Sequence, residues 1–234
     1  MFSASADFYD LFYAAKDYEK EAATVAALIR ARHPDAARLL DVACGSGEHG
    51  RYFAIEHGFQ VEGVDIEPRF VELARAKNPA GVYHCGDMVD FQLERTYDAV
   101  VCLFSSIGYV RELHKLHRAV AAMADHLAER GILVVEPWFE PGTMEHGFVT
   151  CATVDAPGAK VCRMTHTALE GRLSRLRFEY LIGTREGLRR EVEIHELGLF
   201  SREEMEAAFQ TAGLVVDYDP EGLIGRGLYI AWRA

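Results

Sequence analysis

LLDVACGSGEHG, at residues 39–50, decides how the chain is read. A short apolar run carries an acid, Asp41, and opens into Gly45-x-Gly47-x-x-Gly50. Glycines so spaced, between a strand and a helix, let the backbone approach a ligand closely and aim helix-terminal N–H groups at it. The same spacing cradles a pyrophosphate in dinucleotide-binding proteins. There a carboxylate at the strand end repels the ligand. A cationic ligand that bears an amino acid reverses this logic, because the acid favours an ammonium. The loop thus has two readings, a nicotinamide-dependent oxidoreductase or a site for a cationic adenosyl donor, and Asp41 favours the second.

Outward from the loop, strand and helix alternate. The first thirty residues read as two helices, the second over 18–31 and stopping before Pro34. Strands follow at 38–42, 60–65, 81–85, 97–104 and 131–136, with helices at 48–57, 68–77 and 111–127. These lengths suit right-handed crossovers and a parallel sheet covered on both faces. The grammar then changes. VTCATVD, KVCRMTHTAL, RLSRLRFEYLIGT and REVEIHELGLF read as extended segments, two of their joins marked by Pro157-Gly158 and Glu170-Gly171. The α/β pattern returns with a capping box, Ser201 with Glu204, before a helix to Ala212 and closing strands at 214–218 and 227–232. This divides the chain into an α/β core over 1–142 and 199–234, with an N-terminal helical lid, and an inserted antiparallel β subdomain over 143–198.

The chain has 234 residues, half of them apolar, and a net charge of −11. Such a surface repels nucleic acid and acidic lipid, although a local arginine cluster still admits a small anion. No apolar run approaches the roughly 20 residues of a membrane span. The opening MFSASADFYDLFY lacks a basic start and an apolar leader region, so the cytosol is the expected compartment. Five cysteines show no metal or disulfide spacing; Cys85 and Cys102 read as reduced, buried thiols. No metal site is expected. His114 and His117 read as solvent-facing.

Later strand ends carry matching chemistry. Asp65 closes the second strand twenty positions after Gly45, where a carboxylate takes both ribose hydroxyls. Gly86-Asp87-Met88 follows the third, placing an acid beside an exocyclic adenine amine and an apolar side chain, Met88 or Ile66, on the ring. DVACGSG, VDIEP and GDM in this register resemble the class I S-adenosylmethionine-dependent methyltransferases, over nearly the whole chain. The resemblance implies S-adenosylmethionine as cofactor, S-adenosylhomocysteine as product, and a doubly wound, mostly parallel seven-stranded α/β sheet with a small antiparallel insertion. It assigns the cofactor to Asp41, Ala43, Gly45, Gly47, Asp65, Ile66, Asp87, Met88 and Phe104, with Tyr9 closing over it.

FYDLFY, FSSIGY, VVEPWF and GRGLYIAWR narrow the resemblance to the N,N-dimethyltransferases of nucleotide-linked amino sugars, the desosamine and mycaminose type. This implies a small-molecule acceptor, the amine of a dTDP-linked sugar, and a homodimer. Two positions depart from that pattern: Tyr109 stands where the family has His, and Phe139 where it has a second Trp. Both lie near the acceptor, so its identity stays open.

Tyr9 and Tyr13 stand at i and i+4 on one helix face. They either form a buried aromatic stripe or a lid with Tyr13 near the sulfonium. Tyr13, Tyr109 and Glu136 are the candidate catalytic residues; Glu136 either pairs structurally or holds the acceptor amine. Ser106, Trp138 and His195 are candidates on the acceptor side, although a histidine in a sheet more often packs than reacts. Arg163, Arg172, Arg175 and Arg177 are either surface charge or a diphosphate clamp, and Arg226 is a further candidate. Methyl transfer to a neutral nitrogen needs alignment more than a strong base. The alternatives are a hydroxyl or amine of another natural product, the oxidoreductase, and a non-catalytic binding module.

Overall fold

A computed structural model describes residues 6–234. Residues 1–5, which fall within the expected lid, lie outside them. The helices are α1 (Ala6–Phe12), α2 (Tyr18–Arg32), α3 (Glu48–Ile55), α4 (Pro68–Lys77), α5 (Leu113–Asp125) and α6 (Arg202–Thr211). The larger sheet holds β1 (Arg38–Val42), β2 (Gln60–Asp65), β3 (Val82–Cys85), β4 (Tyr97–Cys102), β5 (Leu127–Val135), β10 (Leu214–Asp219) and β11 (Leu228–Arg233). The smaller holds β6 (Val149–Ala156), β7 (Ala159–Glu170), β8 (Leu173–Thr184) and β9 (Gly187–Gly198).

The seven-stranded order is β10-β11-β5-β4-β1-β2-β3, parallel from β5 to β3, with β11 antiparallel to both its neighbours. The order reverses at β1, the switch point beside which open α/β sheets form a ligand crevice. Period-2 alternation splits the strands between two cores. Leu40, Val100, Cys102, Leu133 and Val135 face α5 and α6, while Leu39, Ala99, Val101, Ile132 and Val134 face α2 and α3. A sheet covered on both faces explains why these strands read as unbroken apolar runs. Two acids interrupt the strands while buried, Asp41 in β1 and Glu62 in β2.

Several boundaries differ from expectation for local reasons. β4 stops at Cys102 because Phe104 and Ser105 turn left-handed, at φ 54° and 60°. The 111–127 helix is instead a 3-10 turn over Ser106–Val110 and then α5, interrupted at Arg111, whose φ is 62°. β5 begins at Leu127, because an irregular stretch after it still pairs Leu127 with Tyr97. Cys102 is buried, but Cys85 is exposed, because β3 is the sheet edge. The capping box forms as read: Ser201 and Glu204 each accept the other's backbone N–H.

The smaller sheet is the antiparallel meander β6-β7-β8-β9. One face buries Val161, Phe178, Tyr180 and Ile182 against Phe8 and Phe12 of α1. It meets the larger sheet's carboxyl edge at Gly108, where any side chain would strike Trp138 and Leu197, at 3.0 and 3.1 Å.

Candidate active site

The loop after β1 is built for close approach at one glycine and for packing at the others. Gly45 has φ 54° and open space around it, and Ala43 shares the left-handed conformation at φ 58°. A Cβ on Gly47 would sit 2.7 Å from Ala74 of α4, and one on Gly50 would sit 3.1 Å from the Tyr83 hydroxyl. Gly47 therefore lets two helices touch and does not line the cavity.

Asp65 ties the loop to β2. Its Oδ2 accepts from Gly45 N–H at 2.8 Å and its Oδ1 from Glu67 N–H at 2.8 Å. Each oxygen keeps a second lone pair for a hydroxyl. Burial raises its pKa from the ordinary range, against those N–H donors. Asp41 is 2 % exposed and its Oδ2 has no hydrogen-bond partner among the described residues. Burial, and then the charge of Asp65, push its pKa up to about 8. A buried acid with an unmet oxygen fits a ligand that brings a donor or a positive charge.

Two adjoining hollows open at this edge. The larger, about 520 Å³, is lined by Tyr9, Tyr13, Ala43, Gly45, Asp65, Ile66, Asp87, Met88, Phe104, Ser106, Tyr109, Trp138 and Arg226, among others. All of these are residues expected at the site from the sequence. The smaller, about 30 Å³, shares Tyr9, Ala43, Gly45, Phe104 and Ser106 and adds Asp41, Tyr18 and His49. Acids at successive strand ends thus border one concave site whose size suits an adenosyl cofactor with a second molecule.

α1 covers the site. Tyr9 packs between Tyr13, at 4.6 Å between ring centroids, and Phe70, at 5.0 Å. Tyr13 stands edge-on to Phe104 at 5.1 Å. Asp10 accepts from Ser46 Oγ at 2.5 Å and pairs with Lys77 Nζ at 2.6 Å, which also reaches Glu48 at 2.9 Å. This ionic latch fastens the helix to the glycine loop.

Glu136 lies beneath the cavity wall with no exposed surface. Its Oε2 accepts from Phe104 N–H at 2.6 Å, and Arg226 lies 3.7 Å from Oε1, which accepts no hydrogen bond among the described residues. Burial raises the carboxyl pKa and lowers that of the Arg226 guanidinium. Arg226 also lies over the rings of Trp138 and Phe139, at 5.2 and 5.6 Å.

The proposed arginine cluster does not assemble. Strand parity separates it: Ser174, Leu176, Phe178, Tyr180 and Ile182 face inward on β8, so Arg175 and Arg177 face out, where Arg175 pairs with Glu170 and Glu196 and Arg177 with Glu179. Arg172 pairs with Glu204 on α6. Arg163 faces inward but is covered by the rings of Phe12, Tyr13 and Phe178. The basic groups that do line the cavity are Arg226 and, unforeseen, Arg111, Lys115 and Arg118. Lys115 and Arg118 stand at i and i+3 on α5, a spacing that shows a shared helical face, while Arg111 precedes the helix. His195 is fully buried behind Tyr109, its Nδ1 3.0 Å from the hydroxyl. Glu67 and Phe70, also on the wall, were likewise missed. Among the described residues no three His, Cys, Asp or Glu side chains group as a metal site.

A seven-stranded sheet with its last strand reversed, a glycine loop at the switch point and acids at successive strand ends define a class I S-adenosylmethionine-dependent methyltransferase. Residues 39–131 match the methyltransferase domain family. The chain is 44% identical, over 96% of its length and 89% of the relative's, to the dTDP-3-amino-3,6-dideoxy-alpha-D-glucopyranose N,N-dimethyltransferase of Streptomyces fradiae. It superposes on the crystal structure of DesVI from Streptomyces venezuelae with a TM-score of 0.90 at 41% identity, covering 98% of each chain. It matches SAM-bound CalS10, an amino pentose methyltransferase from Micromonospora echinaspora, at 0.86 and 40% identity, covering 100% of this chain and 98% of that one. The chain belongs to the family of S-adenosylmethionine-dependent amino-sugar N-methyltransferases.

Proposed function

We propose that the chain moves methyl groups from S-adenosylmethionine to the amine of a nucleotide-linked amino sugar. One observation carries this reading: Asp65 and Asp87, suited to an adenosyl group, and Arg226, Arg111, Lys115 and Arg118, suited to a diphosphate, line the same cavity. A cationic donor and an anionic acceptor then meet with their charges sorted to opposite partners. The relatives' substrates support the same acceptor class.

The bound cofactor supplies an already activated methyl. The chain's own task is to hold a neutral nitrogen in line behind that methyl and exclude water. Proximity of this kind supplies roughly 7–11 kcal/mol of barrier reduction in favourable systems. In this reading Asp41 receives the cofactor's ammonium end, Asp65 the ribose and Asp87 with Met88 the adenine. Tyr9 and Tyr13 close the site, and Tyr109, Ser106 and Trp138 face the acceptor. Glu136 acts through Phe104 and Arg226, not on the amine itself.

The α/β core with its lid over 1–142 and 199–234 binds the cofactor, and the 143–198 segment walls the acceptor side. Its outer face leaves Val149, Met164, Leu181, Val192 and Ile194 exposed on adjacent strands. A second copy covers this face in our reading, giving a homodimer. Light scattering on wild type and on Met164→Glu with Ile194→Lys tests it: a dimer that becomes a monomer supports the interface. No helix among the described residues is long and apolar enough to cross a membrane. The cytosol, where nucleotide sugars and S-adenosylmethionine are made, is the compartment this function requires. Turnover assayed across dTDP-linked amino sugars tests the acceptor; methylation of none of them removes it.

A further inference from the structure

Behind Tyr109 the inner face of β9 carries an acid and an imidazole that alignment alone does not require. The Tyr109 hydroxyl lies 3.0 Å from His195 Nδ1, and His195 Nε2 lies 3.5 Å from Glu193 Oε2. His195 has no exposed surface and Glu193 is 5% exposed, whereas Tyr109 lines the larger cavity. The two β9 residues are i and i+2 on one strand face, opposite Leu176 and Phe178 of β8. The Phe178 ring, 4.6 Å from the imidazole, fixes its plane. Burying a carboxylate this deeply is costly unless it is paired.

We propose that Tyr109, His195 and Glu193 form a hydrogen-bonded chain that positions the acceptor nitrogen and takes its proton. This rests on the amine-methylation reading above. The Glu193 carboxylate favours the tautomer with hydrogen on Nε2, which leaves His195 Nδ1 as an acceptor. The Tyr109 O–H then donates to His195, and a hydroxyl oxygen that donates can also accept, here from the cavity that Tyr109 lines. An ammonium N–H donates to the Tyr109 oxygen, which sets the direction of the nitrogen.

The proton balance closes within the chain. The ammonium gives its proton to the Tyr109 oxygen as the Tyr109 proton moves to His195 Nδ1. The amine becomes neutral, and an imidazolium forms beside the Glu193 carboxyl group. The amine's lone pair then forms the nitrogen–carbon bond as the carbon–sulfur bond breaks, with its electron pair staying on sulfur. When product leaves, the proton returns through Tyr109 to water. A second methylation needs the same removal again. Tyr109 is a catalytic residue in this scheme; His195 and Glu193 are positioning residues that act through it. Among the described residues, His195 is hydrogen-bonded to the phenol, and Tyr9 and Tyr13 from α1, Tyr180 from β8, Asp65 from β2 and Glu193 from β9 are near enough for their charge to act on it. Burial raises the phenol's own pKa, so it works as a neutral hydroxyl relay and not as a phenolate base.

Nitrogen-15 NMR of the histidine-labelled chain with S-adenosylhomocysteine tests the geometry without any acceptor. We expect His195 protonated on Nε2 with Nδ1 accepting, and the Nδ1 shift altered in Tyr109→Phe. Protonation on Nδ1 of the neutral ring overturns the chain, whatever the acceptor is. The kinetic arm uses a dTDP-linked amino sugar. Tyr109→Phe lowers kcat on the order of 100-fold and His195→Gln and Glu193→Gln about 10-fold, with KM little changed. In the same nitrogen-15 spectra Glu193→Gln weakens the preference for hydrogen on Nε2, because the carboxylate that favours that tautomer is gone. Unchanged kcat in all three variants, each still binding S-adenosylhomocysteine, overturns the proposal. If wild type methylates no amine, the acceptor reading falls while the NMR result still decides the chain.

Discussion

The backbone amide of Phe104 donates to Glu136 Oε2 across 2.6 Å, tying the left-handed turn after β4 to the end of β5. Phe104 and Ser105 sit in a conformation that costs most residues energy, and Ser105 Oγ holds the same turn through Pro137 O at 2.7 Å. That turn presents Phe104 to Tyr13 and Ser106 to the cavity. A buried acid here is a tether for the wall of the site.

Glu136→Ala therefore strands the Phe104 amide and the half-buried Arg226 together. We expect a loss of about 3 kcal/mol of folding stability. Glu136→Gln keeps a carbonyl for Phe104 and loses less. Urea unfolding of both variants checks the order; equal stability to wild type in Glu136→Ala contradicts the tether.

Asp41 gives a pH dependence of definite sign. The folded chain holds its proton up to about pH 8, while an unfolded aspartate releases it near the ordinary value of 3.8. Its contribution to stability is thus full below about pH 4 and falls away as pH rises toward 8. Asp41→Asn flattens the loss over that window in the free protein. Binding S-adenosylhomocysteine at pH 7 releases about one proton in wild type and none in the variant, if the ligand's ammonium takes the carboxylate. Calorimetry in buffers of different ionisation enthalpy reads that proton directly.

The latch at Asp10 sets how firmly α1 closes. Lys77→Met removes the ion pair with Asp10 and Glu48 while keeping the packing of its stem. S-adenosylhomocysteine should dissociate faster and bind about 2- to 5-fold more weakly, since such partly exposed pairs contribute up to about 1 kcal/mol. Stopped-flow fluorescence follows the change; an unaltered dissociation rate shows that the latch does not govern closure.

Arginine placement makes a sharp contrast. Arg226→Ala should raise KM for a dTDP-linked sugar by 10-fold or more, on the order of a lost charge-assisted contact, and leave S-adenosylhomocysteine affinity nearly unchanged. Arg175→Ala and Arg177→Ala should leave KM unchanged, because both side chains lie on the outer sheet face. Steady-state kinetics on the three variants decides it; a raised KM for Arg175→Ala puts the clamp on the wrong face of this account.

The cofactor side was legible because it depends on short-range order: a glycine turn, then acids at the ends of Gln60–Asp65 and after Val82–Cys85, each fixed by the strand before it. The acceptor side was less so. Arg163, Arg175 and Arg177 look alike in the sequence, and only the alternation of Leu176, Phe178 and Tyr180 separates their faces. Arg111 itself takes a positive φ of 62° and breaks an otherwise continuous helical pattern. The approach of His195 to Tyr109 spans 86 residues, and nothing local encodes it.

The most direct measurement is intact-product mass spectrometry of the purified chain with S-adenosylmethionine and a panel of dTDP-linked amino sugars, with amine-free scaffolds alongside. The account predicts one and then a second methyl on the sugar nitrogen, with stoichiometric S-adenosylhomocysteine. Methylation of a hydroxyl scaffold with every amine left untouched contradicts it.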